Sequence, residues 1–185
     1  MQPELTSQIQ KLFKQSGYDL CSDPVSDIGV GKAPVNWALV KYWGKTNIKL
    51  NLPAVSSLSL AASLFTDTEI EISDNDVLNL DGQELSKQTQ DHTRLFGYAD
   101  KILGSRRPRL KVISNNAVHT ASGLASSASG FAAFTKALDA LYGWNMDTKH
   151  LSILARIGSG SASRSIYPGF VVWHKGSHEN GMDSY

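Results

Sequence analysis

Leu5, Ile9, Leu12 and Phe13 fall at helical spacing, with Pro3 tolerated in the first turn and Gly17 as the stop, so the chain opens on a short amphipathic helix. Residues 18–30 are polar and turn-rich, which sets this helix on a tether beside the main core. Thr66 to Ile72 alternates polar and apolar positions as a half-buried strand does, and the alternation resumes at Leu78-Asn79-Leu80 after the polar stretch Ser73 to Asp76. That pattern predicts a hairpin. Asp81-Gly82 then suits a tight two-residue turn leading to a further short strand through Leu85. Asp91 to Leu103 reads as a helix and Leu110 to Ile113 as a strand. Phe131, Phe134, Leu138, Leu141 and Tyr142 mark a longer helix that Gly143 closes, and Asp147 caps the next one, which carries Leu151, Leu154 and Ala155. Gly169 to Trp173 reads as a buried strand, and the chain is polar from Gly176 onward.

Composition narrows the class of protein. With 185 residues, 41% of them hydrophobic, the chain suits one well-buried domain. No stretch reaches the roughly 20 apolar residues of a membrane span, and the N-terminus lacks a signal peptide's apolar stretch, which predicts a soluble, cytoplasmic protein with no membrane partner. Cys21 is the only cysteine, so an internal disulfide and a cysteine-based metal site are both excluded. A net charge of +1 argues against nucleic acid as the partner and leaves anion binding to local clusters.

Three such clusters stand out. Asn115 to Gly130 is a run of small and hydroxyl residues leading into a helical pattern, where backbone N–H groups and the helix N-terminus attract phosphate. Its spacing is not that of a Walker loop. Gly158 to Ser165 supplies two glycines, four serines and Arg164, whose fork suits a carboxylate or phosphate. Ala33 to Lys45 sets Lys41 and Lys45 on either side of Tyr42, Trp43 and Gly44. The residues alone leave alternatives open: close helix packing for the first cluster, a surface ion pair for Arg164, and a solvated strand face with Trp43 in the core for the third.

Taken in order, Ala-Pro-Val-Asn-Trp-Ala-Leu-Val-Lys-Tyr-Trp-Gly-Lys, Leu-Asn-Leu-Pro with Ser-Ser-Leu-Ser, Gly-Leu-Ala-Ser-Ser-Ala and Gly-Ser-Gly-Ser-Ala-Ser-Arg-Ser resemble the diphosphomevalonate decarboxylase family of the GHMP kinase superfamily, from about Gly31 to the end. The resemblance implies an α+β domain of the ribosomal-S5-like type, with a mixed sheet packed with helices, over residues 31–185. Residues 1–30 are an N-terminal extension, and the family's C-terminal domain is absent.

The same resemblance assigns Gly123, Leu124, Ala125, Ser126 and Ser127 to ATP phosphates, with Ser127 also orienting Mg2+. Tyr42, Trp43, Gly44, Lys45, Ser159, Gly160, Ser161, Ala162, Ser163 and Arg164 fall to the substrate, diphosphomevalonate. Lys41 is placed close to the reacting centre, and Lys41, Ser127 and Arg164 form the expected catalytic set. The implied reaction is ATP-dependent decarboxylation to isopentenyl diphosphate. A kinase of the same branch that does not decarboxylate and a catalytically inactive binding module are the alternatives, and a homodimer is left open. His119 stands where the family usually has proline. Asp67, Asp91, Asp139 and Asp183 match no family catalytic position, so the catalytic aspartate is expected beyond Tyr185.

Overall fold

The computed structural model describes residues 2–117 and 126–185. Its centre is one long strand, β4 (Ser57–Ser73), which pairs antiparallel along one edge with β1 (Ile28–Val40). Its other edge is shared end to end by β8 (Gly169–Trp173), opposite residues 57–61, and β7 (Arg109–Asn116), opposite residues 66–73. Beyond β7 lie β5 (Val77–Leu80), parallel to it, and β6 (Gln83–Leu85), giving a mixed sheet. A separate ribbon is formed by β2 (Lys45–Asn47) and β3 (Leu52–Pro53). The helices are α1 (Gln2–Gln15), α2 (Gln90–Leu103), α3 (Ser126–Tyr142) and α4 (Thr148–Gly158), followed by a 3-10 segment over Gly160–Ile166.

Two small residues decide how closely α3 lies on the sheet. A Cβ on Gly31 would stand 2.0 Å from the Ala133 carbonyl oxygen, and one on Gly29 would stand 2.1 Å from that of Ala137. Helix and strand therefore meet backbone to backbone, and Phe134, Leu138 and Leu141 are buried around that contact. Gly143 ends α3 with φ 63°, the left-handed closure expected of it. Asp147 caps α4 by accepting from the His150 N–H at 2.8 Å.

Three expectations are corrected. The first helix is not on a tether: Ile9 and Phe13 are buried, and Gln10 Nε2 donates to the Ile102 carbonyl at 3.1 Å, so α1 docks on α2. Nor do the strands flanking Ser73–Asp76 pair as a hairpin, because β7 lies between β4 and β5. The Asp76 carboxylate explains why. It accepts a fork from Arg107 (2.9 and 3.0 Å), Arg109 Nη1 (3.1 Å) and the Leu110 N–H (3.1 Å), tying the turn to the start of β7. Burial alone would raise the Asp76 pKa, but the bonds from Arg107 and Leu110 and the two guanidinium charges outweigh it and hold the carboxyl below its ordinary value. Its stabilising contribution is therefore full above the ordinary carboxylate range and lost as pH falls through the depressed value. Lastly, β8 is buried on one face only. Val171 and Trp173 point inward, whereas Phe170 and Val172 are exposed. The Asp81-Gly82 turn forms as predicted, with φ of 53° and 83°.

Replacing Gly31 by alanine is expected to lower the unfolding free energy by about 3 kcal/mol, since neither backbone can yield without opening the helix–strand contact. Urea denaturation checks this, and an unchanged midpoint would show that the contact is looser than described.

Candidate active site

Two bulges in the pairing of β1 with β4, between Pro34 and Asn36 and between Ala38 and Val40, bend the end of β1 before it releases residues 41–44. Tyr42 leaves this strand and turns inward. Its ring meets Trp173 edge to face, with centroids 4.8 Å apart. Across from them, α4 stops at Ser159, whose extended backbone (φ −146°, ψ 125°) breaks the helix and starts the 3-10 segment. Gly160 sits where a Cβ would come within 3.0 Å of both the Tyr42 hydroxyl and Trp173. The aromatic pair and the glycine-serine segment are therefore in direct contact.

Arg164 is enclosed by this arrangement, only 3% exposed. Its guanidinium carbon lies 5.8 Å from the Tyr42 ring centre and 5.6 Å from that of Trp173, a cation held by two aromatic faces. Nη1 donates to Ser57 Oγ at 2.6 Å, while Nε is buried with no hydrogen-bond partner among the described residues. Burial pushes the guanidinium pKa down, and Tyr42 opposes this. No described carboxylate pairs with Arg164. A surface ion pair is thus excluded among the described residues. Ser59, two residues along β4 from Ser57, also has a buried hydroxyl without a partner among the described residues.

The serine-rich segment divides by environment. Ser159 and Ser161 are half-buried, their hydroxyls 3.3 Å apart, whereas Ala162 and Ser163 are buried and Ser163 Oγ donates back to the Gly160 carbonyl at 2.8 Å. Asn36, on β1, donates from its side-chain amide to the Ser161 carbonyl (3.2 Å) and Ser165 Oγ (2.6 Å), which locks the segment to the sheet. Lys45 is exposed and donates to Asn51 Oδ1 at 2.7 Å. On α2, burial and then the Lys45 charge push the Lys101 pKa below its ordinary value. Lys41 and Trp43 are both exposed, Trp43 at 74%, so Trp43 is not a core residue.

At the other cluster, Ser127 is exposed in the first turn of α3, where backbone N–H groups are free of intrahelical partners. Thr66 Oγ1 donates to Asn116 Oδ1 (2.8 Å) and shares a hydrogen bond with the Ser129 hydroxyl (2.7 Å), fixing this helix end to β4 and β7. Ser126 contributes backbone to α3; Gly123, Leu124, Ala125 and His119 lie outside the described residues. The sequence patterns assign no role to Asn36, Ser57, Asn51 or Lys101. The first three sit inside or beside the motifs that were singled out, but only the fold shows whom they touch.

The chain is a mixed α+β sheet domain with a hydroxyl-bearing helix start at one position and, at another, a buried arginine with no carboxylate partner among the described residues. The family described as the diphosphomevalonate decarboxylase-like N-terminal domain matches residues 33–185, and the chain belongs to that family. It is 43% identical to diphosphomevalonate decarboxylase of Gibberella zeae over 82% of this chain and 44% of that protein. A structure of the mevalonate diphosphate decarboxylase of Enterococcus faecalis superposes with a TM-score of 0.76 at 41% identity, covering 85% of this chain and 50% of the other. A structure of MDDEF in complex with MVAPP, AMPPCP and magnesium gives 0.75 at 42% identity, covering 85% and 49%. The chain spans about half the length of the relatives it matches.

If Arg164 is an uncompensated buried cation, removing its charge relieves the fold. Arg164→Met is expected to leave the urea midpoint of the ligand-free protein unchanged or higher. A loss of 2 kcal/mol or more, on the order expected for breaking a buried pair, would reveal a counter-ion.

Proposed function

We propose that this chain is the nucleotide- and substrate-binding part of an enzyme that decarboxylates (R)-5-diphosphomevalonate at the expense of ATP, yielding isopentenyl diphosphate, ADP, phosphate and CO2. The observation that carries this reading is Arg164, a desolvated guanidinium with an unused Nε, set against the rings of Tyr42 and Trp173 and next to no described carboxylate. A carboxylate supplies the counter-charge that Arg164 lacks among the described residues, and Lys45 supplies a cation for the diphosphate.

The chemistry sets a limit on that arginine. ATP phosphorylates the tertiary 3-hydroxyl. The C–O bond to this phosphate then breaks as the carboxylate's bond to C2 breaks, and the C–C bonding electrons become the new double bond. Too strong a hold on the carboxylate charge would resist loss of CO2. A guanidinium shared with two aromatic faces and Ser57 orients the carboxylate without drawing its charge away entirely. Lys41, free in solvent at the end of β1, is assigned to the phosphate that departs. Family membership at this identity also supports the reading.

We assign the nucleotide to the start of α3. Ser127 and the free N–H groups of the first helical turn meet phosphate oxygens, and a cavity lined by Leu78, Leu80, Leu95, Val112, Phe131 and Phe134 adjoins Ser127 and Asn116 and suits a flat base. Mg2+ fits here as an ion brought by the nucleotide. No group of three or more His, Cys, Asp or Glu among the described residues is arranged to hold a metal, whereas a Ser hydroxyl with phosphate oxygens is an ordinary Mg2+ environment. Ser127 would hold the ion together with the phosphate oxygens, and the ion would supply positive charge to offset theirs. No described helix is long and apolar enough to cross a membrane, and we place the protein in the cytoplasm.

Given ATP, Mg2+ and (R)-5-diphosphomevalonate, the whole protein is expected to release ADP and CO2 in equal amounts. ADP without CO2 would make it a kinase of the same branch. Arg164→Ala is expected to cut kcat at least about a hundredfold, and near-normal turnover would defeat the assignment.

A further inference from the structure

Lys45 lies at the start of a short ribbon and is exposed, so nothing in its own strand fixes a four-carbon side chain. What fixes it is Asn51. This residue is 8% exposed and has φ 53°, the left-handed region that asparagine tolerates better than most residues. Its Oδ1 accepts from Lys45 Nζ at 2.7 Å, and its Nδ2 donates to the carbonyls of Arg156 and Ile157, both at 3.0 Å. The amide has only one workable orientation, because the ammonium offers donors alone and the two carbonyls are acceptors alone.

Those two carbonyls belong to the last turn of α4, where the helix leaves them without partners of its own. The neighbouring residue is anchored to the same place: Arg156 Nε donates to the Leu50 carbonyl at 3.1 Å. Arg156 is itself fully buried, donating also to the carbonyls of Gly181 (2.7 Å) and Ser184. Directly after this turn the chain becomes Ser159–Arg164. One helix end therefore carries the serine-arginine segment in sequence and Lys45 through a single amide.

We propose that Asn51 is a positioning residue that ties Lys45 to the end of α4, so that the lysine and the Ser159–Arg164 segment hold a fixed separation matched to a substrate with a diphosphate at one end and a carboxylate at the other. The inference rests on the reading of Lys45 as a diphosphate ligand. It requires the Asn51 side chain to act through Lys45 and through nothing else at the site.

A double-mutant cycle on this chain, with inorganic pyrophosphate as the probe in titration calorimetry, separates the possibilities. Asn51→Gly suits the positive φ and removes both sets of bonds, so the fold is expected to persist, with circular dichroism and melting temperature as controls. Kd for pyrophosphate is expected to rise about tenfold in Asn51→Gly and at least as much in Lys45→Met. The pair together should bind no more weakly than Lys45→Met alone, because without the lysine the asparagine has nothing to position. If the two losses multiply, Asn51 acts through the fold at large and the positioning role is overturned, while the substrate site stands. If Lys45→Met itself leaves Kd unchanged, Lys45 is no diphosphate ligand and both readings fall.

Discussion

Holding a guanidinium out of water with no carboxylate beside it costs several kcal/mol, and the structure around Arg164 is arranged to sustain that state. Two aromatic rings and one serine hydroxyl are the whole of its described compensation. Each depends on a different part of the fold: Tyr42 on the bent end of β1, Trp173 on β8, Ser57 on the first residue of β4, and Arg164 itself on the 3-10 segment after α4. Four elements converge on one charge. A fold that relaxed at any of them would let water reach the guanidinium and hydrate it.

The scaffold that prevents such relaxation works by close approach and by saturating backbone carbonyls. Glycines on β1 let α3 lie against the strand at backbone distance, which also sets the first turn of α3 beside Thr66 and Asn116. The second device is Arg156. Its pKa is pushed down to about 10 by burial, with Asp183 opposing, yet its donors are spent on carbonyls from the ribbon loop and the C-terminal turn. Arg156 and Arg164 are eight residues apart and nearly equally buried, but one is satisfied by the protein and the other is not. That contrast is why Arg156 is read as part of the scaffold and Arg164 as the proposed carboxylate ligand.

Much of this was legible in the sequence, for local reasons. Helical spacing and Gly143 located α3, Asp147 located the start of α4, and Asp81-Gly82 located a tight turn, because each depends on neighbours within a few residues. The grouping of residues 41–45 with 159–164 came from resemblance to a family, and the fold brings Tyr42 against Gly160. What sequence patterns could not show were long-range partners. Alternation around Ser73–Asp76 reads as a hairpin because nothing local reveals that Arg107, about thirty residues on, captures Asp76 and draws β7 between the strands. A polar stretch after α1 looks like a tether until Leu20 is seen to be buried. Asn51 reads as an ordinary loop residue until its amide is found between a lysine and a helix end.

The central claim is that Arg164 is kept unpaired for a carboxylate, and ligand discrimination tests it most directly. Affinities for (R)-5-diphosphomevalonate and for isopentenyl diphosphate, which shares the diphosphate but lacks the carboxylate, are to be measured by calorimetry in the parent protein and in Arg164→Met. The account predicts that the parent prefers the carboxylate-bearing ligand by about tenfold or more, as a charge-assisted pair should give, and that the variant loses that preference while still binding both diphosphates. A preference of equal size in parent and variant would contradict it.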